Sequence, residues 1–446
     1  MLKRKFETKL NQWLESKCVL LVDGARQVGK TFWIQNFCQR HFDNFIYINL
    51  ANDPLAPEAF ANAKTIESFY LAVSAFGNKA IVPGKTALFI DEIQEAPGAD
   101  FRTLAKPLAI DGRCRIVFSG SLLGVNEGNA ALEPAGYMYE ERMYPLDFEE
   151  FLWANSVQPD VIAKAKECFT RRERVPDFIH EKLLELFRLY LMVGGLPASV
   201  QAYVDTSDLK KAHLEHKAIE MYYRNDATKY AAKEHRLYIA SAYDLLPSEL
   251  NSKSKRFTLS KLEKRYVLER AKNDFLWLTK AGIALPVYNV DEPKIPLLLS
   301  KNSNLMKLFA NDVGLLCYRM LDTGIQEKIL AHVKDINFGS IYENAVAQEL
   351  YAHGYDGDRL FYFSSKKQGE VDFLLVYQGE VLPIEVKSGK DYKRHIALDN
   401  LMSCPSYGIK QGFVFGECNL LQSGGRTYFP IYMIDFLYSD AYLALS

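Results

Sequence analysis

The sequence lacks paired cysteine motifs, long apolar runs, low-complexity tracts and a strong excess of charge of either sign. Its seven cysteines form an odd set without CxxC spacing, which argues against a zinc site or a disulfide framework and favours the reducing cytoplasm. No segment approaches the ~20 apolar residues that span a bilayer, so we expect no membrane partner. Because 54 Lys and Arg nearly cancel 55 Asp and Glu, any contact with nucleic acid must come from a local patch.

A glycine-rich motif directly follows a short apolar segment, Cys18–Val22, near the N-terminus. It fits G-x-x-x-x-G-K-S/T and consists of Gly24, Ala25, Arg26, Gln27, Val28, Gly29, Lys30 and Thr31. Such a loop turns backbone N–H groups and a helix N-terminus towards a polyphosphate. We therefore predict a site for ATP or GTP with Mg²⁺, with ATP as the expected nucleotide. Lys30 would reach the β- and γ-phosphates, and the Thr31 hydroxyl would ligate Mg²⁺.

A second apolar segment, Thr86–Ile90, ends in the two carboxylates of Asp91 and Glu92. In a P-loop protein the first carboxylate holds Mg²⁺ through water, and the second orients or deprotonates the attacking water. The sequence thus predicts Asp91 as a metal ligand and Glu92 as a catalytic residue. Ser119 or Ser121, after a later predicted strand, is either a sensor of the γ-phosphate or a loop serine.

Three further apolar segments alternate with helix-length spacers: Phe45–Leu50, Cys114–Ser119 and Glu141–Leu146. Alternation of strands and helices predicts a parallel α/β sheet. No Arg or Lys occurs from Ile116 to Glu141, where a ring-forming AAA ATPase carries its arginine finger. This absence argues against a hexameric motor.

The motifs together resemble a large prokaryotic family of AAA-like ATPases whose C-terminal domain has no assigned function. The resemblance rests on Gly24–Thr31, Asp91–Gln94, Phe118–Ser121 and Tyr144–Phe151, and later on Val193–Pro197, Asn311–Leu316, Tyr342–Asn344, Glu370–Phe373 and Ile384–Lys387. It implies ATP binding and a nuclease-like C-terminal core. Tyr137 follows Gly136 where the family often has Gly-Arg, so a candidate phosphate-facing arginine is missing.

The segment from Ser252 to Lys272 holds eight basic residues against two acidic ones. A helix that starts at Ser260, a short turn, a second helix that ends at Gly282 and the strand-like Ile283–Tyr288 together resemble a winged helix. Six of the basic residues are expected to contact DNA phosphates: Lys253, Lys255, Arg256, Lys261, Lys264 and Arg265. The alternative is a solvated helix face that docks on the ATPase domain.

Two acidic strands, Glu370–Tyr377 and Glu380–Lys387, flank a predicted two-residue turn at Gln378-Gly379. This register sets Asp372 opposite Glu385 and Glu370 opposite Lys387, on one face of the hairpin. The arrangement resembles the PD-(D/E)xK nuclease centre, in which carboxylates hold Mg²⁺ and the lysine positions water. The predicted residues are Glu343, Asp372 and Glu385 as metal ligands and Glu385 and Lys387 as catalytic residues, with Glu343 matching the additional acid of the resembled family. The alternative is a cross-strand ion pair in an inactive relic of the fold.

A chain of 446 residues exceeds the roughly 250–300 residues of a single core. We predict a P-loop ATPase domain with a parallel sheet (1–150), a helical connector (151–235), a winged-helix-like domain (236–330) and an α/β nuclease-like domain (331–446). The predicted function is an ATP-dependent switch that acts on nucleic acid. The alternative is an ATP-gated protein-interaction module in which the nuclease-like domain is inactive.

Overall fold

The computed structural model describes residues 1–120, 136–229, 233–250, 278–330, 339–389 and 391–443. These residues form two compact units: one comprises residues 4–144 and 280–282, and the other comprises residues 1–3, 145–279 and 283–446. None of the described helices has the length and apolar character that crossing a membrane requires.

The smaller unit, which we call the P-loop unit, is built on a parallel five-stranded sheet in the order β2-β3-β4-β1-β5. The strands are β1 (Val19–Asp23), β2 (Asn44–Asn49), β3 (Thr86–Asp91), β4 (Arg115–Ser119) and β5 (Met138–Arg142). Its helices are Phe6–Glu15, Lys30–His41, Ala56–Asn62, Ile66–Phe76 and Phe101–Asp111. Residues of β3 are buried throughout, as expected for a central parallel strand covered by helices on both faces. The predicted parallel α/β fold is confirmed.

Strand β5 ends earlier than the sequence predicted. The segment expected to be a strand was Glu141–Leu146, whereas β5 pairs with β1 from Val19 opposite Met138 to Asp23 opposite Arg142. Pro145, which has no backbone N–H to donate to a neighbouring strand, follows three residues after the last residue of β5.

The larger unit contains an eight-stranded mixed sheet in the order β12-β13-β11-β10-β9-β8-β6-β7. The strands are β6 (Ala284–Val290), β7 (Lys301–Ala310), β8 (Phe361–Ser365), β9 (Gly369–Tyr377), β10 (Glu380–Lys387), β11 (Gly412–Gly416), β12 (Leu421–Ser423) and β13 (Arg426–Pro430). Its helices before β6 are Phe148–Ala154, Pro159–Arg171, Asp177–Val193, Pro197–Thr206, Leu209–Lys229 and Lys233–Leu250. Those after β7 are Val313–Met320, Thr323–Leu330, Gly339–Ala352, Ile396–Met402 and Asp440–Leu443.

The strand that the sequence assigned to a winged helix, Ile283–Tyr288, lies in this large sheet. As β6 it pairs antiparallel with β7 and parallel with β8, so it is not the wing of a separate domain. The sequence pattern was misleading because a short apolar strand shows which residues are buried but not which strand it pairs with. The basic segment Ser252–Lys272 lies outside the described residues.

Two glycine-containing segments that are far apart in the chain, Val193–Pro197 and Asn311–Leu316, pack against each other in the larger unit. The Asp312 carboxylate accepts hydrogen bonds from Gly195 N–H at 2.7 Å and Leu315 N–H at 2.8 Å. A Cβ on Gly314 would lie 2.4 Å from the backbone nitrogen of Gly194, so the two segments pack too closely for any larger residue. Burial raises the pKa of Asp312 to about 6, although these backbone donors favour its ionised form.

Candidate functional sites

The predicted phosphate-binding loop has a backbone that glycine makes possible. Gly24 has φ 141° and Gly29 has φ 98°, and Gln27 between them also adopts a positive φ of 67°. A Cβ on Gly24 would stand 2.3 Å from the carbonyl oxygen of Met143, which excludes any larger residue. The helix Lys30–His41 starts directly after this loop, so its N-terminal N–H groups face the same concavity.

The Lys30 side chain lies inside the loop. Its Nζ donates to the carbonyl oxygens of Gly24 and Ala25, both at 2.8 Å. Burial lowers the pKa of the Lys30 ammonium, while the carboxylates of Glu92 and Asp91 act in the opposite direction. The loop therefore presents a fixed, poorly solvated cation.

Asp91, at the end of β3, is the centre of a polar cluster at the carboxyl ends of the strands. It is 1% exposed, and its Oδ2 accepts from the Thr31 hydroxyl at 2.7 Å and from the Tyr47 hydroxyl at 3.2 Å. Its Oδ1 accepts from the Ser119 hydroxyl and from Glu92 N–H. The structure thus brings together the predicted metal ligands and the predicted sensor serine. Ser121 lies outside the described residues.

Glu92 leaves the strand in a left-handed conformation, with φ 57° and ψ 44°. This conformation costs a non-glycine residue about 1–2 kcal/mol and turns the side chain away from the strand direction. The Glu92 carboxylate accepts a hydrogen bond from the Gln94 amide and lies 3.7 Å from the Arg26 guanidinium. A strained acid held by two side chains fits the predicted role of a group that orients water.

Two residues outside the motif contact the loop, one by hydrogen bonds and one by close packing, and neither was predicted from the sequence. The buried Arg4 donates to the carbonyl of Val28 at 3.2 Å and to that of Tyr144 at 2.7 Å. Gly282, with φ 70°, packs so closely that a Cβ there would lie 3.0 Å from the backbone nitrogen of Ala25. No local pattern identifies either residue, because both act through contacts distant in sequence.

The C-terminal hairpin has the predicted register as far as Phe373 opposite Ile384, whereas the predicted pairs Asp372 with Glu385 and Glu370 with Lys387 lie beyond the ladder. Gln378 and Gly379 have φ 51° and 76°, which are the two positive values of a type I′ turn, and Tyr377 pairs with Glu380. The ladder continues to Phe373 opposite Ile384 and then ends. Beyond it, Val386 N–H donates to Asp372 Oδ2 at 2.9 Å, so an acidic side chain replaces the next backbone partner.

One pocket of about 400 Å³ gathers the acidic residues, and we call it the carboxylate centre. Its lining includes Glu343 from the helix Gly339–Ala352, Glu370 and Asp372 from β9, and Glu385 and Lys387 from β10. Lys387 Nζ lies 2.7 Å from Glu385 Oε1. Burial raises the pKa of Glu385, and the nearby Asp372 charge adds to this effect against the influence of Lys387. The centre is therefore crowded with negative charge.

Lys307, on β7, is a member of this cluster that the sequence did not reveal. Its side chain is fully buried, and its Nζ lies 2.8 Å from Glu370 Oε1 and 3.9 Å from Glu343 Oε2. Burial alone would lower the pKa of Lys307, but Glu343, Asp372 and Glu370 outweigh it and raise that pKa. The sequence could not predict this contact, because Lys307 is a single lysine in a strand and its acidic partners are tens of residues away in the chain.

A third cluster contains Asp147, His353 and Asp435, whose potential ligand atoms lie within 4.8 Å of one another. Its carboxylates already accept hydrogen bonds from the first turn of the helix Phe148–Ala154. Asp147 accepts from Glu150 N–H at 2.9 Å, and Asp435 accepts from Glu149 N–H at 3.3 Å. Helix capping accounts for these acids without a metal ion.

Sequence families cover three parts of the chain. Residues 16–152 match the sequence model of a family described as AAA domain. Residues 184–327 and 338–434 match two families that are each described as a domain of unknown function, DUF8612 and DUF4143. The expected resemblance is thereby confirmed for the AAA-like part.

A relative from Methanocaldococcus jannaschii, named "Uncharacterized protein MJ1544", is 23% identical over 368 residues, which are 82% of this chain and 73% of the relative. Among solved structures, the Walker-type ATPase PABY2304 of Pyrococcus abyssi is 14% identical with a TM-score of 0.44, covering 72% of this chain and 96% of that one. Cdc6p from Pyrobaculum aerophilum is 11% identical with a TM-score of 0.23, covering 74% and 96%.

The family match over residues 16–152 coincides with the parallel sheet, the phosphate-binding loop and the Thr31–Asp91 contact. The N-terminal part of this chain is thus similar to AAA domains and has a P-loop on a parallel α/β sheet.

Proposed function

We propose that this chain binds ATP with Mg²⁺ in its P-loop unit and hydrolyses it as a molecular switch. The observation that carries the proposal is the contact between the Thr31 hydroxyl and the Asp91 carboxylate at 2.7 Å, beside the loop that holds Lys30. A hydroxyl and a carboxylate oxygen in contact form the hard oxygen donor set that suits Mg²⁺. Bound Mg²⁺ would neutralise charge on the β- and γ-phosphates.

The protein groups then have separate tasks. Lys30 exchanges its hydrogen bonds to Gly24 and Ala25 for phosphate oxygens, at a reduced cost in desolvation because the loop already partly buries its ammonium group. Glu92 orients the attacking water, and Gln94 and Arg26 hold the carboxylate in place. Ser119 fixes Asp91 and so links the end of β4 to the metal ligand. ATP titration and a hydrolysis assay with Lys30→Ala and Glu92→Gln test this assignment.

The carboxylate centre carries a second candidate function, metal-dependent cleavage of a nucleic-acid phosphodiester. It is supported by Glu343, Asp372, Glu385 and Lys387, which line one pocket. Carboxylate oxygens would hold Mg²⁺ or Mn²⁺ there, and Lys387 would position water or stabilise the charge that develops on the phosphate. DNA is the expected substrate, bound through the basic residues of 252–272.

The alternative is an ATP-gated protein-interaction module in which the carboxylate centre is inactive. The contact of Lys307 with Glu370 and Glu343 favours it, because an ammonium group already offsets part of the negative charge. Metal-dependent cleavage of labelled DNA by the parent protein, lost in Asp372→Asn, would favour the nuclease. DNA binding and cleavage that stay undetectable would favour the interaction module.

A further inference from the structure

Lys307 places a buried positive charge in the carboxylate centre, beside the acidic side chains. Its ammonium is fully buried on β7, in the larger unit, and a buried ammonium is very costly without an anionic partner. The described residues supply two such partners, Glu370 Oε1 at 2.8 Å and Glu343 Oε2 at 3.9 Å. The ring of Tyr362 completes its surroundings, with its centroid 5.0 Å from Nζ.

Glu385 and Asp372 form the other side of the centre. Glu385 is 6% exposed, and its Oε1 contacts Lys387 at 2.7 Å. Its second oxygen, Oε2, is buried and has no hydrogen-bond partner among the described residues. Asp372 uses Oδ2 to accept from Val386 N–H. An orphaned buried carboxylate oxygen beside a second carboxylate indicates a place for a further cation.

We propose that Lys307 is the internal counter-cation of the carboxylate centre: it offsets one of the two negative charges of Glu370 and Glu343, and leaves Asp372 and Glu385 as the pair that takes one divalent cation. This inference rests on the proposed metal-binding function of the same centre. Apart from Asp391, which lines the pocket but is exposed, four carboxylates of the centre face the ammonium groups of Lys307 and Lys387, so a single divalent ion balances the charge. Lys307 thereby limits the centre to one metal ion and keeps it folded before the ion arrives.

Replacement of the charge tests this role. In a Lys30→Ala background, which removes the nucleotide site from the measurement, Lys307→Met keeps the length of the side chain and removes its charge. Its matched control is Lys301→Met, on the same strand, where the lysine pairs with a half-exposed Asp358. Melting temperatures are measured in EDTA and in excess Mn²⁺.

In EDTA, Lys307→Met is expected to melt about 10 °C below Lys301→Met, since breaking a buried ion pair leaves uncompensated carboxylates. Excess Mn²⁺ restores most of this loss and stabilises Lys307→Met more than the parent. Calorimetric titration gives one Mn²⁺ per parent chain. The proposal is wrong if the melting temperature of Lys307→Met in EDTA lies within about 2 °C of that of Lys301→Met. It is also wrong if the parent binds two Mn²⁺ ions.

A double variant keeps the experiment decisive if Lys307→Met does not fold. Lys307→Met with Glu370→Gln removes one charge of each sign, so it must regain stability in EDTA relative to the single variant. Failure to regain it assigns Lys307 a packing role and overturns the counter-cation. If the double variant regains stability but no variant shows a Mn²⁺-dependent shift in melting temperature, Lys307 is a counter-cation and the metal site is wrong. The experiment therefore distinguishes failure of the counter-cation from failure of the metal site.

Discussion

The hydroxyl of Thr31 donates to the carboxylate of Asp91 at 2.7 Å, across 60 residues of sequence. Thr31 lies in the first turn of the helix Lys30–His41, and Asp91 ends β3, with β4 lying between β3 and β1. The parallel order of the strands brings both groups to one edge of the sheet. The two predicted Mg²⁺ ligands are therefore adjacent before any ion binds.

Lys30→Ala should abolish measurable ATP binding. The variant removes the one ammonium inside the loop, and helix N–H groups alone do not balance the charge of the β- and γ-phosphates. Calorimetric titration with ATP and Mg²⁺ measures the effect. Lys85→Ala, which removes an exposed lysine from the same unit, is the control and should bind as the parent does. Unchanged affinity in Lys30→Ala would remove the phosphate-binding role from this loop.

Glu92→Gln should bind ATP normally and hydrolyse it about 10²–10⁴-fold more slowly. The amide keeps the shape of the side chain and its contact with Gln94, but it cannot orient or deprotonate water as a carboxylate does. Phosphate release under saturating ATP gives the rate. Glu58→Gln, at an exposed position of a helix in the same unit, should leave the rate unchanged. A Glu92→Gln rate close to that of the parent would assign the water-orienting role to another group.

Asp372→Asn separates a metal site from a structural ion pair. The amide oxygen can still accept from Val386 N–H, so the backbone contact survives while the charge is lost. A metal site predicts weaker Mn²⁺ binding and an unchanged or slightly higher melting temperature in EDTA, because repulsion with Glu385 is relieved. Melting in EDTA and in Mn²⁺, again with Lys30→Ala present, reads both effects. Destabilisation in EDTA with no change in metal response would identify a structural carboxylate.

At pH 4, Asp312→Asn should destabilise the larger unit by about 1–3 kcal/mol, because the amide NH₂ of asparagine cannot accept the hydrogen bond that the second carboxyl oxygen takes from Gly195 N–H or Leu315 N–H. The fold raises the pKa of Asp312 to about 6, from about 3.9 in an unfolded chain. The folded state thus holds the proton more tightly, and the stability from Asp312 is fully present below pH ~4 and declines up to pH ~6.

The destabilisation by Asp312→Asn is consequently larger at pH 4 than at pH 7, by about 2–3 kcal/mol. Urea unfolding of both proteins at the two pH values measures the difference. Asp205→Asn, at an exposed position of the same unit, is the control and should show no such trend. A pH-independent difference for Asp312→Asn would mean that the fold does not disfavour the ionised carboxyl.

Replacement of Lys253, Lys255 and Arg256 by alanine should weaken DNA binding and lower its salt slope by about one for each lost phosphate contact. A titration of labelled duplex DNA at several salt concentrations measures the slope. The control replaces three exposed lysines of a described helix, Lys210, Lys211 and Lys217, and so removes an equal charge. Equal slopes in the two triple variants would favour the protein-interaction function.

The sequence by itself determined the elements whose physics is local. Eight consecutive residues specify the phosphate-binding loop, because its glycines carry the positive φ values and its lysine follows directly. Two turn residues specify the register of β9 with β10, because a type I′ turn leaves one pairing. Both predictions needed no knowledge of the rest of the chain.

Tertiary structure alone decided which distant residues complete these sites. Lys307 enters the carboxylate centre because β7 joins the large sheet, and Tyr47 contacts Asp91 because β2 pairs with β3. Likewise, β6 belongs to the large sheet and not to the predicted winged helix, because it pairs with β7 and β8. Hydrophobic pattern and propensity specify that a strand forms and which face is buried, whereas its neighbours are chosen by packing across the whole unit.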